Sequence, residues 1–298
     1  MIKPNFFIVG APKCGTSALM TYLSSHPKVF MSSPKEPHYF AEEVRGHFYP
    51  ANSQMEYLAL FKDASSQQTI IGESSVLYLF FENAIQRIYD FNSDAKLVVM
   101  LRNPVDLAYS WHSQAVYNSD ENIEDFETAW NLQESRKNGK NISKLSRMPI
   151  TLQYNAIASL GSQVERLLSI YPKEQVHFIF LESFNENPQK EYQKVLNFLN
   201  IADDGKMDFP IVNQNKTHKI KKLGSLNRTN FAKNVRSIKN RFGFKNVALM
   251  ANVNRWNVIE EKRKPLRAEF RADLVENFNP QVEILEKILE KDLSHWKK

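Results

Sequence analysis

A lysine held between two glycines, an arginine ending an apolar run, and a glutamate two residues before a histidine are the side chains here that could do chemistry together. The lysine lies in Phe6-Phe7-Ile8-Val9-Gly10-Ala11-Pro12-Lys13-Cys14-Gly15-Thr16-Ser17-Ala18-Leu19. An apolar run ends at Gly10, a tight loop follows, and Ala18, Leu19, Met20, Tyr22 and Leu23 then recur at helical spacing, which predicts strand, loop and helix. Gly10 and Gly15 are expected to turn the backbone so that successive N–H groups meet an anion at the helix N-terminus, with Thr16 and Ser17 adding hydroxyl donors. The Gly10–Gly15 spacing fits the nucleotide-triphosphatase loop G-x-x-x-x-G-K-[ST], but Thr16 stands where that loop has its lysine. Lys13 is inside the loop instead, placed to hold one anionic group close to it. A plain glycine turn explains Gly10 and Gly15 but not Pro-Lys-Cys-Gly-Thr-Ser as a set.

Arg102 follows Lys96-Leu97-Val98-Val99-Met100-Leu101, continuous and apolar as buried parallel strands are. Pro104 then suits the first turn of a helix running through Leu107, Ala108, Trp111 and Ala115, with Ser110 two turns in. Arg102 is thus expected at the carboxyl end of a central strand, where open α/β sheets bind ligands. Glu36 and His38 lie in Ser33-Pro34-Lys35-Glu36-Pro37-His38-Tyr39-Phe40, where two prolines predict an extended, loop-like path that puts both on one side. Either could accept a proton. On spacing alone the simpler account is a solvated turn holding an ion pair.

The elements that must position these groups alternate. Val29-Phe30-Met31 reads as a short strand after a helix stop at His26-Pro27, Gln68 to Ser75 as a strand with a polar end, and Val176 to Glu182 as a further strand. A helix carrying Val164, Leu167, Leu168 and Tyr171 precedes the last of these. Strands separated by helices imply parallel βαβ units with right-handed crossovers. The expected architecture is therefore α/β, a P-loop-like parallel sheet flanked by helices. Val282, Leu285, Ile288 and Leu289 mark a C-terminal amphipathic helix, with Trp296 expected against the body.

With 298 residues and 42% hydrophobic content the chain can bury a large core. A net charge of +6 suits anionic ligands but is too small an excess to call for nucleic acid. One cysteine excludes an internal disulfide and fits a reducing compartment. The run Phe6–Val9 is too short for a signal-peptide core or membrane span, so a cytoplasmic protein with no membrane span is expected. The seven histidines have no metal-ligand spacing, and no metal is expected. Cys14 could be redox-sensitive beside Lys13 and a helix N-terminus, or a small filler in the loop.

Taken together these motifs resemble the sulfotransferases that use 3'-phosphoadenosine 5'-phosphosulfate (PAPS), in particular a bacterial branch related to the heparan sulfate sulfotransferases. Phe6–Leu19 resembles the family's 5'-phosphosulfate loop, Val98–Ser110 its 3'-phosphate segment, and Lys35–Phe40 its acceptor-activating loop. Tyr171–Phe184 and Lys291–Trp296 also match, so the resemblance covers the chain as a single sulfotransferase domain, residues 1–298. It implies that Lys13, Cys14, Gly15, Thr16 and Ser17 bind the 5' side of PAPS, and that Arg102 and Ser110 hold the 3'-phosphate. It implies Glu36 as the base, with His38 beside it, and Lys13 as a catalytic cation at the leaving oxygen. The implied reaction moves a sulfuryl group to a hydroxyl or amine of a small-molecule or carbohydrate acceptor, leaving 3',5'-bisphosphoadenosine.

The chain departs from its carbohydrate-modifying relatives at Ala41, where some carry aspartate, at Ser74, where many carry lysine, and at Ala158 and Leu160. These bear on the acceptor more than on PAPS. Between Asp208 and Glu260 no acidic residue occurs, and this basic segment, about 209–259, is expected to cover cofactor or substrate through a lysine of Asn213–Ser225. Lys233 to Lys245 reads as a solvated helix. Two other classes stay open: a nucleotide-dependent kinase or ATPase, and a nucleotide binder without turnover.

Overall fold

The computed structural model describes residues 2–44, 51–210 and 263–298, and the backbone alone of 216–218 and 258–260. The lysines of the basic segment, from Lys216 to Lys245, lie outside the residues whose side chains are described. The chain divides into two compact units. One comprises Met1–Leu107, Ala156–Val212 and Arg271–Lys298; the other comprises Ala108–Asn155 and Asn213–Phe270.

The first unit is built on β1 (Phe6–Gly10), β2 (Val29–Met31), β3 (Ile70–Ser74), β4 (Lys96–Leu101) and β5 (Val176–Phe180). They lie in the order β2-β3-β1-β4-β5, and each neighbouring pair is parallel. All of β1 and nearly all of β4 is buried, as a two-sided α/β sheet demands. Fully burying each such Phe, Ile, Val or Leu is worth about 1.5–3 kcal/mol.

Among the described residues the α-helices are α1 (Thr16–Ser24), α2 (Gln54–Leu58), α3 (Ala84–Phe91), α4 (Pro104–Tyr117), α5 (Phe126–Asn131), α6 (Gln133–Lys137), α7 (Tyr154–Ala158), α8 (Leu160–Leu168), α9 (Leu181–Glu186), α10 (Pro188–Leu199) and α11 (Ala268–Leu289). On α11, Val282 and Leu285 face the core, and Trp296 is buried beyond it. One boundary differs from expectation. Glu182 does not end a strand, because the chain turns at Phe180 and Glu182 lies in the first turn of α9. There it accepts a hydrogen bond from Trp296 Nε1 at 3.2 Å.

The second unit holds α5, α6 and the antiparallel pair β6 (Lys216–His218) and β7 (Val258–Glu260). Its buried ion pair joins Arg136 to Glu121 at 2.8 Å, with both side chains fully inaccessible. Glu121 also accepts from Tyr154 Oη at 2.6 Å and from the backbone N–H groups of Asn122 and Ile123. These contacts offset the desolvation of the two charges.

Candidate functional site

The loop after β1 turns at Lys13 (φ 63°) and Gly15 (φ 90°), both left-handed. Gly10 does not make that turn. A Cβ there would stand 2.8 Å from Leu79 Cβ, so Gly10 permits a close approach of the segment after β3. Gly15 needs its positive φ, and a Cβ on it would also meet Leu181 Cδ1 at 3.1 Å. No side chain caps α1 at its N-terminus, so the first N–H groups of the helix keep their donor capacity at the loop. Thr16 is buried there, while Lys13 and Ser17 are half-buried. Cys14 is fully buried and donates its thiol to Pro12 O. Burial pushes that thiol up to about 12, although Arg102 and Lys13 pull it the other way. Burial thus disfavours the thiolate, and Cys14 packs inside the loop.

Arg102 reaches this loop from β4, its Nη1 donating to Lys13 O at 3.3 Å. The turn carrying it is held by Asn103, whose Oδ1 accepts from Val105 N at 2.9 Å and whose Nδ2 donates to Trp296 O at 3.3 Å. Ser110, on α4, belongs to the second unit. Its buried hydroxyl accepts from Arg263 Nη1 at 3.2 Å, and the Arg263 guanidinium lies 5.7 Å from the Tyr109 ring centroid. Sequence reasoning missed Arg263, which lies just past the acid-free stretch.

Glu36 and His38 do come together, with His38 Nε2 3.7 Å from Glu36 Oε2. The expected reason was wrong. The path is not extended, because Glu36 (φ 63°) and His38 (φ 50°) both take the left-handed conformation around Pro37. Lys35 also pairs with Glu36. Burial pushes the Glu36 carboxyl up, but the hydrogen bond from His38 and the charges of Lys35 and His38 prevail and bring it down to about 2. The Glu36 side chain remains about a third exposed, at 34%, whereas His38 is buried. The pair thus offers an ionised carboxylate reachable from solvent and an imidazole behind it.

Beneath this loop lies a residue the sequence reading passed over as part of a strand's polar end. Glu73 is fully buried. Its Oε1 accepts from Tyr57 Oη at 2.7 Å and Tyr78 Oη at 2.9 Å, and its Oε2 from Ser75 Oγ at 2.7 Å. Burial pushes its carboxyl up to about 7 despite these three donors. The signal was an acid inside an apolar strand, since a buried glutamate is rare unless partnered.

Among the described residues no group of three or more His, Cys, Asp or Glu side chains could hold a metal, and no helix is long and apolar enough to cross a membrane.

A parallel sheet whose first strand feeds a loop carrying Lys13 and an uncapped helix, with Arg102 from the neighbouring strand on that loop, defines an α/β protein of the P-loop-like kind. The comparisons narrow the class. The family profile described as "Sulfotransferase domain" matches residues 3–248. The chain belongs to that family. Carbohydrate sulfotransferase 15 of Rattus norvegicus is 30% identical over 252 residues, covering 67% of this chain and 44% of that protein. Heparan sulfate glucosamine 3-O-sulfotransferase 5 of Homo sapiens is 28% identical over 204 residues, covering 66% of this chain and 54% of the relative. The chain therefore spans only about half the length of these relatives. A crystal structure of a sulfotransferase from Alicyclobacillus acidocaldarius matches with a TM-score of 0.74 at 27% identity, over 100% of both chains.

Proposed function

We propose that this chain transfers the sulfuryl group of PAPS to a hydroxyl or amine, with a carbohydrate as the first acceptor class to try. The observation that carries the reading is the contact of Arg102 with Lys13 O, which sets two cationic residues on one uncapped loop. Such a loop suits the 5'-phosphosulfate, with donors from Lys13 to Ser17, and Arg102 the 3'-phosphate. The family resemblance assigns Ser110 the latter role as well.

The chemistry is an in-line displacement. The acceptor oxygen or nitrogen forms a bond to sulfur as the bond from sulfur to the nucleotide's phosphate oxygen breaks. Lys13 neutralises charge on the departing oxygen, and the acceptor's proton passes to Glu36, with His38 as the neighbouring site. With Lys35 on it Glu36 is a weak base, so an acceptor that draws Lys35 away would raise its basicity as the complex forms. The names of the relatives support a carbohydrate acceptor, and a single buried cysteine accords with a cytoplasmic setting.

Calorimetric titration tests the reading without the acceptor. Charged hydrogen bonds are worth about 1.5–3 kcal/mol each, so 3',5'-bisphosphoadenosine should bind at least about tenfold more tightly than 5'-AMP. Arg102→Ala should remove most of that preference and leave 5'-AMP binding nearly unchanged. Equal affinities in the wild type, or magnesium-dependent ATP turnover, would overturn the assignment.

A further inference from the structure

Three alternate N–H groups of the loop that carries Glu36 and His38 are tied to one short stretch of chain. Glu36 N donates to Ser74 O at 3.0 Å, His38 N to Ser75 Oγ at 3.1 Å, and Phe40 N to Tyr78 Oη at 3.3 Å. The hydroxyls of Ser75 and Tyr78 both donate onward to Glu73. Between them, the Tyr39 ring stacks on Tyr57 with centroids 4.4 Å apart and planes 10° from parallel. Tyr57 too donates to Glu73. His38, Tyr39 and Phe40 thus each reach the same buried carboxylate through one intermediate side chain.

We propose that Glu73 is a positioning residue for proton removal, its carboxylate orienting the Ser75, Tyr57 and Tyr78 hydroxyls so that they hold the His38–Phe40 backbone and aim Glu36 and His38. Donor and acceptor roles decide this arrangement. Once ionised, as it is above about pH 7, the carboxylate only accepts, so every hydroxyl touching it turns its proton inward and keeps lone pairs outward. Those lone pairs are what the N–H groups of His38 and Phe40 need. A neutral amide at the same place has one end that donates. That end would turn a hydroxyl proton away from position 73, toward a loop N–H that cannot accept it. Shape is preserved and polarity is not.

Other charged groups near the loop do not substitute for Glu73. Lys35 pairs with Glu36 on the loop itself, and Arg87 holds Phe40 O at 3.1 Å and pairs with Glu42. Neither is among the hydrogen-bond partners of Ser75 or Tyr78.

The inference rests on the proposed proton-accepting role of Glu36 and His38, so its test separates the two. Amide exchange and the His38 ring resonance, assigned through its loss in His38→Ala, are measured in wild type, Glu73→Gln, Ser75→Ala and Tyr78→Phe. Titration with 3',5'-bisphosphoadenosine serves as the control. Glu73→Gln should speed exchange by about tenfold, the worth of one net hydrogen bond, at the loop amide whose hydroxyl meets the donating end, His38 if that hydroxyl is Ser75's and Phe40 if it is Tyr78's, and shift the His38 resonance. Ser75→Ala should act at His38 and not at Phe40, and Tyr78→Phe the reverse, with nucleotide affinity and β1 amides unchanged. With an acceptor that the wild type sulfates, Glu73→Gln should lower kcat and leave the KM for PAPS unchanged. Unchanged loop amides in a folded Glu73→Gln protein would overturn the proposal, as would equal loosening of both amides by either single-hydroxyl variant. If Glu73→Gln does not fold, the two single-hydroxyl variants decide alone. Loop amides that respond as stated while Glu36→Gln and His38→Ala keep full turnover would refute the proton-accepting role and leave the positioning role standing.

Discussion

Arg102 Nη1 donates to the carbonyl oxygen of Lys13 at 3.3 Å, so the arginine that ends β4 is anchored on the backbone of the lysine that turns the loop after β1. Residues 89 positions apart are thereby made parts of one cationic surface.

Lys13 is expected to matter more for turnover than for nucleotide affinity, because charge on the leaving oxygen develops in the transition state. Lys13→Ala should lower kcat by about 10²–10³, the range found when one such stabilising donor is removed. Affinity for 3',5'-bisphosphoadenosine should change far less. Arginine should not restore the rate, since a planar fork fits a compact left-handed loop poorly. Steady-state kinetics beside titration distinguish the two effects, and unchanged turnover would exclude the role.

Lys35 should set the basicity of Glu36. In Lys35→Met the carboxyl loses one of the charges that hold it near 2, so its pKa should rise and the acid limb of the pH–rate profile should move up. Glu36→Gln should cost about 10²–10⁴ in rate if this carboxylate is the base. A profile indifferent to Lys35, with Glu36→Gln active and His38→Ala dead, would transfer the role to His38.

Glu73 should make stability fall as pH rises through neutrality. Its folded value of about 7 lies above the ordinary 4.5, so its contribution is complete below about pH 4.5 and is lost as pH rises through about 7. A shift of that size corresponds to about 3 kcal/mol. Denaturant unfolding of wild type and Glu73→Gln between pH 4.5 and 8 should show the wild type losing stability relative to the variant. Parallel curves would mean that Glu73 does not titrate in this window.

In the second unit, Glu121→Gln should destabilise by about 3–5 kcal/mol, because it leaves the inaccessible Arg136 guanidinium without its countercharge. Chemical denaturation measures this. A loss under about 1 kcal/mol would show that the backbone carbonyls accepting from Arg136, those of Asn141 and Ala129, satisfy it alone.

Local patterns determined much of this protein. The run Lys96–Leu101 appears unaltered as β4, the strand–loop–helix reading of Phe6 to Leu23 as β1 and α1, and Pro104 begins α4. Burial on both faces and the fixed φ of proline act over a few residues, so a linear sequence displays them. The sulfotransferase resemblance was legible for a similar reason, since each motif is a short contiguous segment. Tertiary structure decided what depends on distant partners. Whether Cys14 ionises was set by full burial, not by the helix terminus and lysine beside it. Gly10 owes its place to Leu79, and Glu182 joined a helix, where its side chain accepts from Trp296. Glu36 and His38 meet through two left-handed residues that no spacing rule announces. The three hydroxyls on Glu73 come from positions 57, 75 and 78, and only the packed fold removes the water that would otherwise serve them. Hydrogen bonds and desolvation depend on who is near in space, and sequence order carries little of that.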